Sequence, residues 1–449
     1  MKSNSVNIKN ISCSKCRIDA SFHLSEGISV RRIIDGCPYK SIFMSEVTSE
    51  IFYGNRARRV YVSDAEHGIP FLSSSEILLS DFDNVKYASR RYTSHLEQLK
   101  LEKDWILISR SGTIGNCAYT NGDFSRCLSS EHVIRVVPNG QVKSGMLYAY
   151  LSSYFGYLLL TQGTFGAVIQ HIEPDYVASI PVPCFPVGLQ NDVDSLIKSS
   201  SSLREEATLY RKRAISIIEK FLNSIPNPHT SKISNFQICT SHHRIDSQYQ
   251  MEVLIRRKDN VGLPYFKIGD KAKNIYVGNR GKRCYVNKGV PFLSSSEMML
   301  FNPKRWCKQI SVRTPSLHSL GVKEKDILIS RSGTIGNCLF VSKGLKDVTI
   351  SEHALRLRID DSKVAPEYVY AFLCSWQGQR KLKNAAYGSV IITLGEGFVS
   401  EISVPIIPEK DYKEVVELIE LYAHKNDEAA ELESKAIKLV EEEIESWSK

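Results

Sequence analysis

The tripeptide Ser-Glu-His occurs at Ser130–His132 and again at Ser351–His353, and a serine beside a histidine suggests a nucleophile with its base. No nucleophile motif surrounds either copy, however, and a catalytic role is not read there. A second repeated segment, SRSGTIGN, begins at Ser109 and at Ser330. It is rich in glycine but lies between two strand-like runs instead of opening a helix. It reads in two compatible ways. Gly112 and Gly115 supply the backbone geometry of a hairpin turn. The turn also presents Arg110, Thr113 and Asn116 in the first copy, and Arg331, Thr334 and Asn337 in the second, to phosphates or bases.

Basic clusters point the same way. Arg56, Arg58 and Arg59 are matched by Arg280, Lys282 and Arg283, each group beside a β-rich run. Such residues suit phosphate contacts, which position a protein without reading sequence; the plainer reading is an edge strand guarded by charge. Lys86, Arg90, Arg91 and Tyr92 in one half stand against Arg305, Lys308, Gln309 and Arg313 in the other as base readers, Arg and Lys suiting guanine edges and Gln adenine.

Other chemistry is missing from the sequence, which has no GxxxxGKS/T phosphate loop, no GxGxxG after a strand, no HExxH and no GxSxG. Cys13 and Cys16 form a CxxC, but no second pair or spaced His pair completes a zinc site. Eleven cysteines, an odd number scattered along a long chain, fit reduced thiols. No bound metal and no cofactor is expected.

These residues fall inside an internal duplication. PFLSSSE at Pro70 returns at Pro291, ILISRSGTIGNC at Ile106 returns at Ile327, and Ser-Glu-His follows at the same offset of 221. GNRARRVY at Gly54 returns as GNRGKRCY at Gly278, three residues out of step, RID at Arg17 returns at Arg244, and VASIPVP at Val177 returns as VSEISVP at Val399. Between the shared blocks, Ile77 to Trp105 against Met298 to Asp326, only 4 of 29 positions agree at that offset. One frame carries two different inserts.

Each half closes on a helix with coiled-coil spacing. Leu189, Val193, Leu196, Ser200, Leu203, Ala207, Tyr210, Ala214, Ile217 and Phe221 step by four and three, as do Val415, Leu418, Tyr422, Lys425, Ala429, Leu432, Ala436 and Leu439. Helices of roughly 35 residues measure about 50 Å, and antiparallel pairing with each other buries both stripes, with polar Ser200 and Lys425 setting register. RVYVS, WILISRSG, NCAYT, HVIRVVP and SIPVPC read as strands, and MLYAYLSSYFGYLLLTQ and EYVYAFLCSWQGQRKL as amphipathic helices. The expectation is a mixed α/β chain of two tandem similar domains: residues 1–187, a long helix over 188–223, a second domain over 224–408 with a linker from Ser224, and a long helix over 409–449.

Length and charge agree. The 449 residues, 42% apolar with 9% aromatics, predict a soluble globular protein and exclude wholesale disorder. No apolar run reaches the roughly 20 residues of a membrane span and no secretory signal opens the chain, so a cytoplasmic protein is expected. The formal charge of +9 is unevenly placed: residues 409–449 hold 13 acidic and 6 basic side chains, leaving the two domain blocks strongly positive and suited to a polyanion.

Two blocks alternating with two long helices, a repeated ILISRSGTIGN, paired RID openings and IPVP closings resemble the specificity (S) subunit of Type I restriction-modification enzymes, over essentially the whole length. The resemblance implies two target-recognition domains that each read half of a bipartite site on double-stranded DNA, with the helices as an antiparallel spacer. It implies a non-catalytic subunit that holds two methyltransferase subunits, which bind S-adenosylmethionine and methylate adenine, and that is joined by a restriction/motor subunit. The missing catalytic motifs agree with that division of labour. A spacer of about 50 Å corresponds to roughly 15 base pairs between half-site centres. The acidic last helix and the RID segments are assigned to methyltransferase docking. The alternatives are a specificity subunit of another restriction class, Type IIB-like, and a protein-interaction scaffold without DNA.

Overall fold

The computed structural model describes residues 18–222 except 57, 64 and 167–169, residues 244–247, 249, 250 and 252, and residues 262–447 except 389 and 391. Cys13, Cys16, Arg17 and the linker expected from Ser224 lie outside these residues. The chain packs as two units, Met1–Glu205 with Glu428–Lys449, and Glu206–Asp427. Both are mixed α/β and they share one topology.

In the first unit a four-stranded antiparallel sheet runs in the order Thr48–Tyr53, Val133–Pro138, Ile106–Ser109, Cys117–Tyr119. A second sheet runs Tyr61–Val62, Lys86–Ser89, Gly68–Leu72, Leu128–Ser129, the last pair parallel. The second unit repeats both orders with Ala272–Val277, Ala354–Ile359, Ile327–Ser330 and Cys338–Phe340, and with Tyr285–Val286, Lys308–Ile310, Val290–Leu293 and Thr349–Ile350. The Pro-flanked strands Pro181–Pro183 and Ser403–Pro405 each take a single partner, Ser41–Phe43 and Tyr265–Lys267. A proline has no N–H to give a second neighbour, which confines such a strand to a short pair.

The apolar run expected as one amphipathic helix is two, Ser144–Ser152 and Tyr154–Gln162, and the second unit divides likewise into Pro366–Cys374 and Trp376–Ala385. The break is written in Ser153 and Ser375, each of which caps the following helix by accepting the amide of Gly156 at 3.1 Å or of Gly378 at 3.2 Å. A Cβ at either glycine would collide with the carbonyl of Tyr150 or Phe372. Residues Gly145 to Ser152 are all buried, so this segment is core on every side and has no polar face.

The long helices span Val187–Glu219 and Glu409–Ser446, and each contributes one half to each unit. In the first unit Val193 and Ile197 are buried in the same core as Ala436, Ile437, Val440 and Ile444. There the Ser200 hydroxyl donates to the Ala429 carbonyl at 2.7 Å. In the second unit Ala207, Ala214, Ile217 and Ile218 bury against Val415, Leu418, Ile419 and Tyr422, and Lys425 pairs with Glu206 at 3.0 Å. Within that unit Glu206 meets Lys425 while Arg213 meets Glu414, so the two helices run antiparallel. Both seam residues singled out as polar, Ser200 and Lys425, make cross-helix bonds. No helix among the described residues is long and apolar enough to cross a membrane.

Candidate nucleic-acid interface

The basic residues gather along the second sheet of each unit. The strand Lys86–Ser89 lies between Tyr61–Val62 and Gly68–Leu72, and its register sets Lys86 opposite Phe71. In the second unit Lys308 stands opposite Phe292. The Lys86 ammonium lies 5.2 Å from the centre of the Tyr61 ring, and Lys308 lies 5.1 Å from that of Tyr285. Both lysines and both tyrosines are exposed. Tyr61 and Tyr285 differ by 224 positions and Lys86 and Lys308 by 222, so a comparison at the constant offset of 221 hides the match. Past the shared Ser89 and Ser311, the first unit inserts Arg90, Arg91 and Tyr92 where the second has Val312 and Arg313. Ser89 Oγ accepts the amides of Arg91 and Tyr92, and Ser311 Oγ that of Arg313. The inserts are thus one scaffold with different exposed tips.

Arg59 and Arg283 are held inside their own units. Arg59 pairs with Glu131 and lies over the Phe71 ring; Arg283 pairs with Glu352 at 3.3 Å and lies over Phe292. Arg280 reaches the same Glu352 at 3.5 Å. Burial pushes the Glu131 carboxyl up, but its own backbone amide and Arg59 outweigh burial and leave it below the usual carboxylate range. Glu352 is lowered in the same way, with Arg283 as the main cation. Arg56, Arg58, Arg90, Lys282 and Arg313 are exposed, and their side chains form no hydrogen bond, ion pair or ring contact among the described residues. Arg91 stacks on Tyr92 and Arg305 on Trp306. Gln309 spends its carbonyl oxygen on the Gly289 amide at 2.6 Å, which leaves its amide group as the remaining donor.

The Gly-rich segments are hairpin turns. Ser109 donates its amide to Asn116 and Ser330 to Asn337, each at 2.8 Å. Gly112, Gly115, Gly333 and Gly336 have φ of 77°, 85°, 76° and 90°, a region that costs other residues strain. Thr113 and Thr334 are exposed at the tips, while Asn116 and Asn337 are half-buried. Arg110 forms an ion pair with Glu173 over the Tyr53 ring.

Sequence reasoning missed the partners of the two histidines. His132 Nδ1 lies 2.8 Å from Ser111 Oγ, and His353 Nδ1 lies 3.0 Å from Ser332 Oγ. The pair therefore joins the turn to the Ser-Glu-His segment, whose own Ser130 Oγ accepts the His132 backbone amide at 3.3 Å instead. Ser111 is buried and Ser332 half-buried, and in both units the contact fastens the turn. The signal was the common offset of the two segments. Arg135 and Arg356 were also missed. Each is fully buried and bonded to carbonyls, Arg135 to Ser129 at 2.9 Å and Arg356 to Ile350 at 3.0 Å. Burial lowers Arg135 to about 10, so it remains charged at neutral pH and ties the two sheets together from within. No cluster of metal-ligating side chains occurs among the described residues.

Comparison with known proteins gives a likeness in structure only. No family model matches the chain, and no curated protein does. Among solved structures, the S subunit of a Type I restriction-modification system from M. genitalium is 13% identical, covering 91% of this chain and 96% of its own, with a TM-score of 0.38. The HsdS subunit of Thermoanaerobacter tengcongensis is 13% identical over 90% of this chain and 96% of its own, with a TM-score of 0.29. A chain from a structure of a type I R-M system in complex assembly matches over 91% and 98% with the same identity and score.

Proposed function

We propose that this chain is the DNA-recognition subunit of a Type I restriction-modification complex. One observation carries the reading. The same basic sheet is built twice, with a lysine of an inner strand over a tyrosine of the edge strand at the same register, and the lysine strand runs on into different exposed cations: Arg90 and Arg91 in one unit, Arg313 in the other. A duplicated frame with unlike tips suits the reading of two unlike half-sites on double-stranded DNA. The shared cations serve the backbone and the differing ones the bases.

In this reading the chain does no chemistry itself. Two methyltransferase subunits bring S-adenosylmethionine and methylate adenine, and a restriction/motor subunit joins for cleavage. Ile18 and Ile245, the central residues of the two RID segments, are 79% and 75% exposed. The outer face of the last helix exposes Glu417, Glu420, Glu431, Glu442 and Glu445. Lys410, Lys413, Lys435 and Lys438 are exposed on the same helix, but with 13 acidic against 6 basic side chains over residues 409–449 it stays net acidic, which suits a protein partner better than DNA, so the methyltransferases dock there and on the RID segments. Arg244 of the second RID is itself occupied, holding Asp246 at 2.7 Å and the carbonyls of Ala385 and Ala386.

The target is bipartite, with an unread gap whose length follows the two long helices. The test is to reconstitute the methyltransferase and sequence the methylated sites, with wild-type protein and with one heptad deleted from each long helix. A gapped motif is expected from the wild type and a shorter gap from the deletion. An unchanged gap overturns the spacer role, and a chain that shows no salt-dependent DNA binding overturns the DNA reading in favour of a protein scaffold.

A further inference from the structure

The two Gly-rich turns are identical in sequence over SRSGTIGN, yet their arginines stand in different surroundings. Ile172 donates its amide to the Arg110 carbonyl at 3.2 Å, and Leu394 donates to that of Arg331 at 2.8 Å. Ser111 bridges to His171 as Ser332 bridges to Thr393. These contacts make Glu173 and Gly395 equivalent, each one residue past the shared amide.

In the first unit Glu173 holds the Arg110 guanidinium in an ion pair, and His171 Nε2 lies 3.3 Å from the same carboxylate. In the second unit Thr393 and Gly395 carry no charge. No carboxylate among the described residues pairs with Arg331; its Nε is buried without a hydrogen-bond partner, as that of Arg110 is, so the two guanidiniums differ in the carboxylate and not in that edge. Among the described residues the charge of Arg331 thus lacks the carboxylate that neutralises Arg110, a state that a bound anion relieves. Arginine keeps its charge at any physiological pH, and its planar fork matches a phosphate.

We infer that Arg331 is a DNA-backbone contact of the second unit, whereas Glu173 occupies Arg110 and closes the equivalent contact of the first. The inference rests on the DNA-recognition reading above. A phosphate at Arg110 must displace a carboxylate already seated there. At Arg331 it meets a cation whose partner position is open. The two units therefore grip the duplex unequally, and Glu173 is a masking residue that acts through Arg110 without touching DNA.

The test measures binding of the full chain to a mixed-sequence DNA duplex across a salt series, reading the slope of log affinity against log salt. Arg331→Ala should weaken binding several-fold and reduce the slope by about 0.9, the value of one phosphate contact. Arg110→Ala should leave the slope unchanged. Glu173→Gln should steepen it by about 0.9, as should Glu173→Gly, which installs the residue of the second unit, and adding Arg110→Ala should restore the wild-type value. An unchanged melting curve shows that each variant is folded. The inference fails if Arg331→Ala leaves the slope alone or if Arg110→Ala lowers it as much. The masking role fails if a folded Glu173→Gln or Glu173→Gly leaves it unchanged. A wild-type chain with no salt-dependent binding is a different failure, that of the DNA reading itself.

Discussion

Ser111 Oγ and His132 Nδ1 stand 2.8 Å apart, and that contact makes the Gly-rich turn and the basic sheet edge one mechanical piece, because the residue before His132 is the Glu131 that holds Arg59. Ser111→Ala removes one hydrogen bond and leaves a ring that is 46% exposed free to bond water. The expected loss is about 1 kcal/mol. Urea unfolding of the variant should show a lowered midpoint with an unchanged slope, and the same midpoint as wild type would mean that the bond contributes nothing.

Glu433 is fully buried in the first unit, where it accepts from Tyr148 Oη and pairs with Arg204 at 3.0 Å. Tyr148→Phe should cost about 1 kcal/mol. Arg204→Leu takes the cation from a carboxylate that stays in the interior, and roughly 3–5 kcal/mol is expected. Chemical denaturation of the two variants side by side checks the ranking. Equal losses would show that the charge of Arg204 is not what the site requires.

The depressed carboxyl of Glu131 makes a signed statement about acid stability. Burial disfavours its charge, but the backbone amide and Arg59 more than offset that. A folded-state value below the unfolded value, about 4.3, means that the stabilisation is fully present above the unfolded pKa and is lost as pH falls through the folded one. Wild type and Glu131→Gln should therefore differ in unfolding free energy at pH 6, and the difference should shrink progressively as pH falls below the unfolded value. A difference that stays constant from pH 6 to pH 3 would show that the carboxylate charge plays no part.

Lys86 and Lys308 occupy the same register, so Lys86→Ala and Lys308→Ala should weaken DNA binding by similar factors, each reducing the salt slope by about 0.9. Arg90 has no cationic counterpart, Val312 standing in its place. Arg90→Val should relax one half of the methylated motif and leave the other as it was, read by sequencing the methylated sites. Relaxation of both halves would remove Arg90 from half-site recognition.

Local sequence was enough for the frame. The offset of 221 announced two like halves, the β-rich runs RVYVS, WILISRSG, NCAYT and HVIRVVP are strands, and the steps of four and three through Val193, Ser200 and Ala207 mark a helix seam. These depend on period and on backbone preference, which act over a few residues. Ser153 with Gly156 broke a helix that the apolar run alone predicted as continuous, because a cap and a close backbone approach outweigh hydrophobic pattern at one position.

Charge was different. Arg59, Arg110 and Arg331 look alike in the sequence, each a basic residue beside a strand. Whether a guanidinium is spent or available depends on what folding brings within about 4 Å of it, since ion pairing is strong only at contact. Glu131 and Glu173 are 72 and 63 residues from the arginines they hold. Which units repeat was thus a property of the sequence alone, and which of their cations remain open for a polyanion was decided only by tertiary structure.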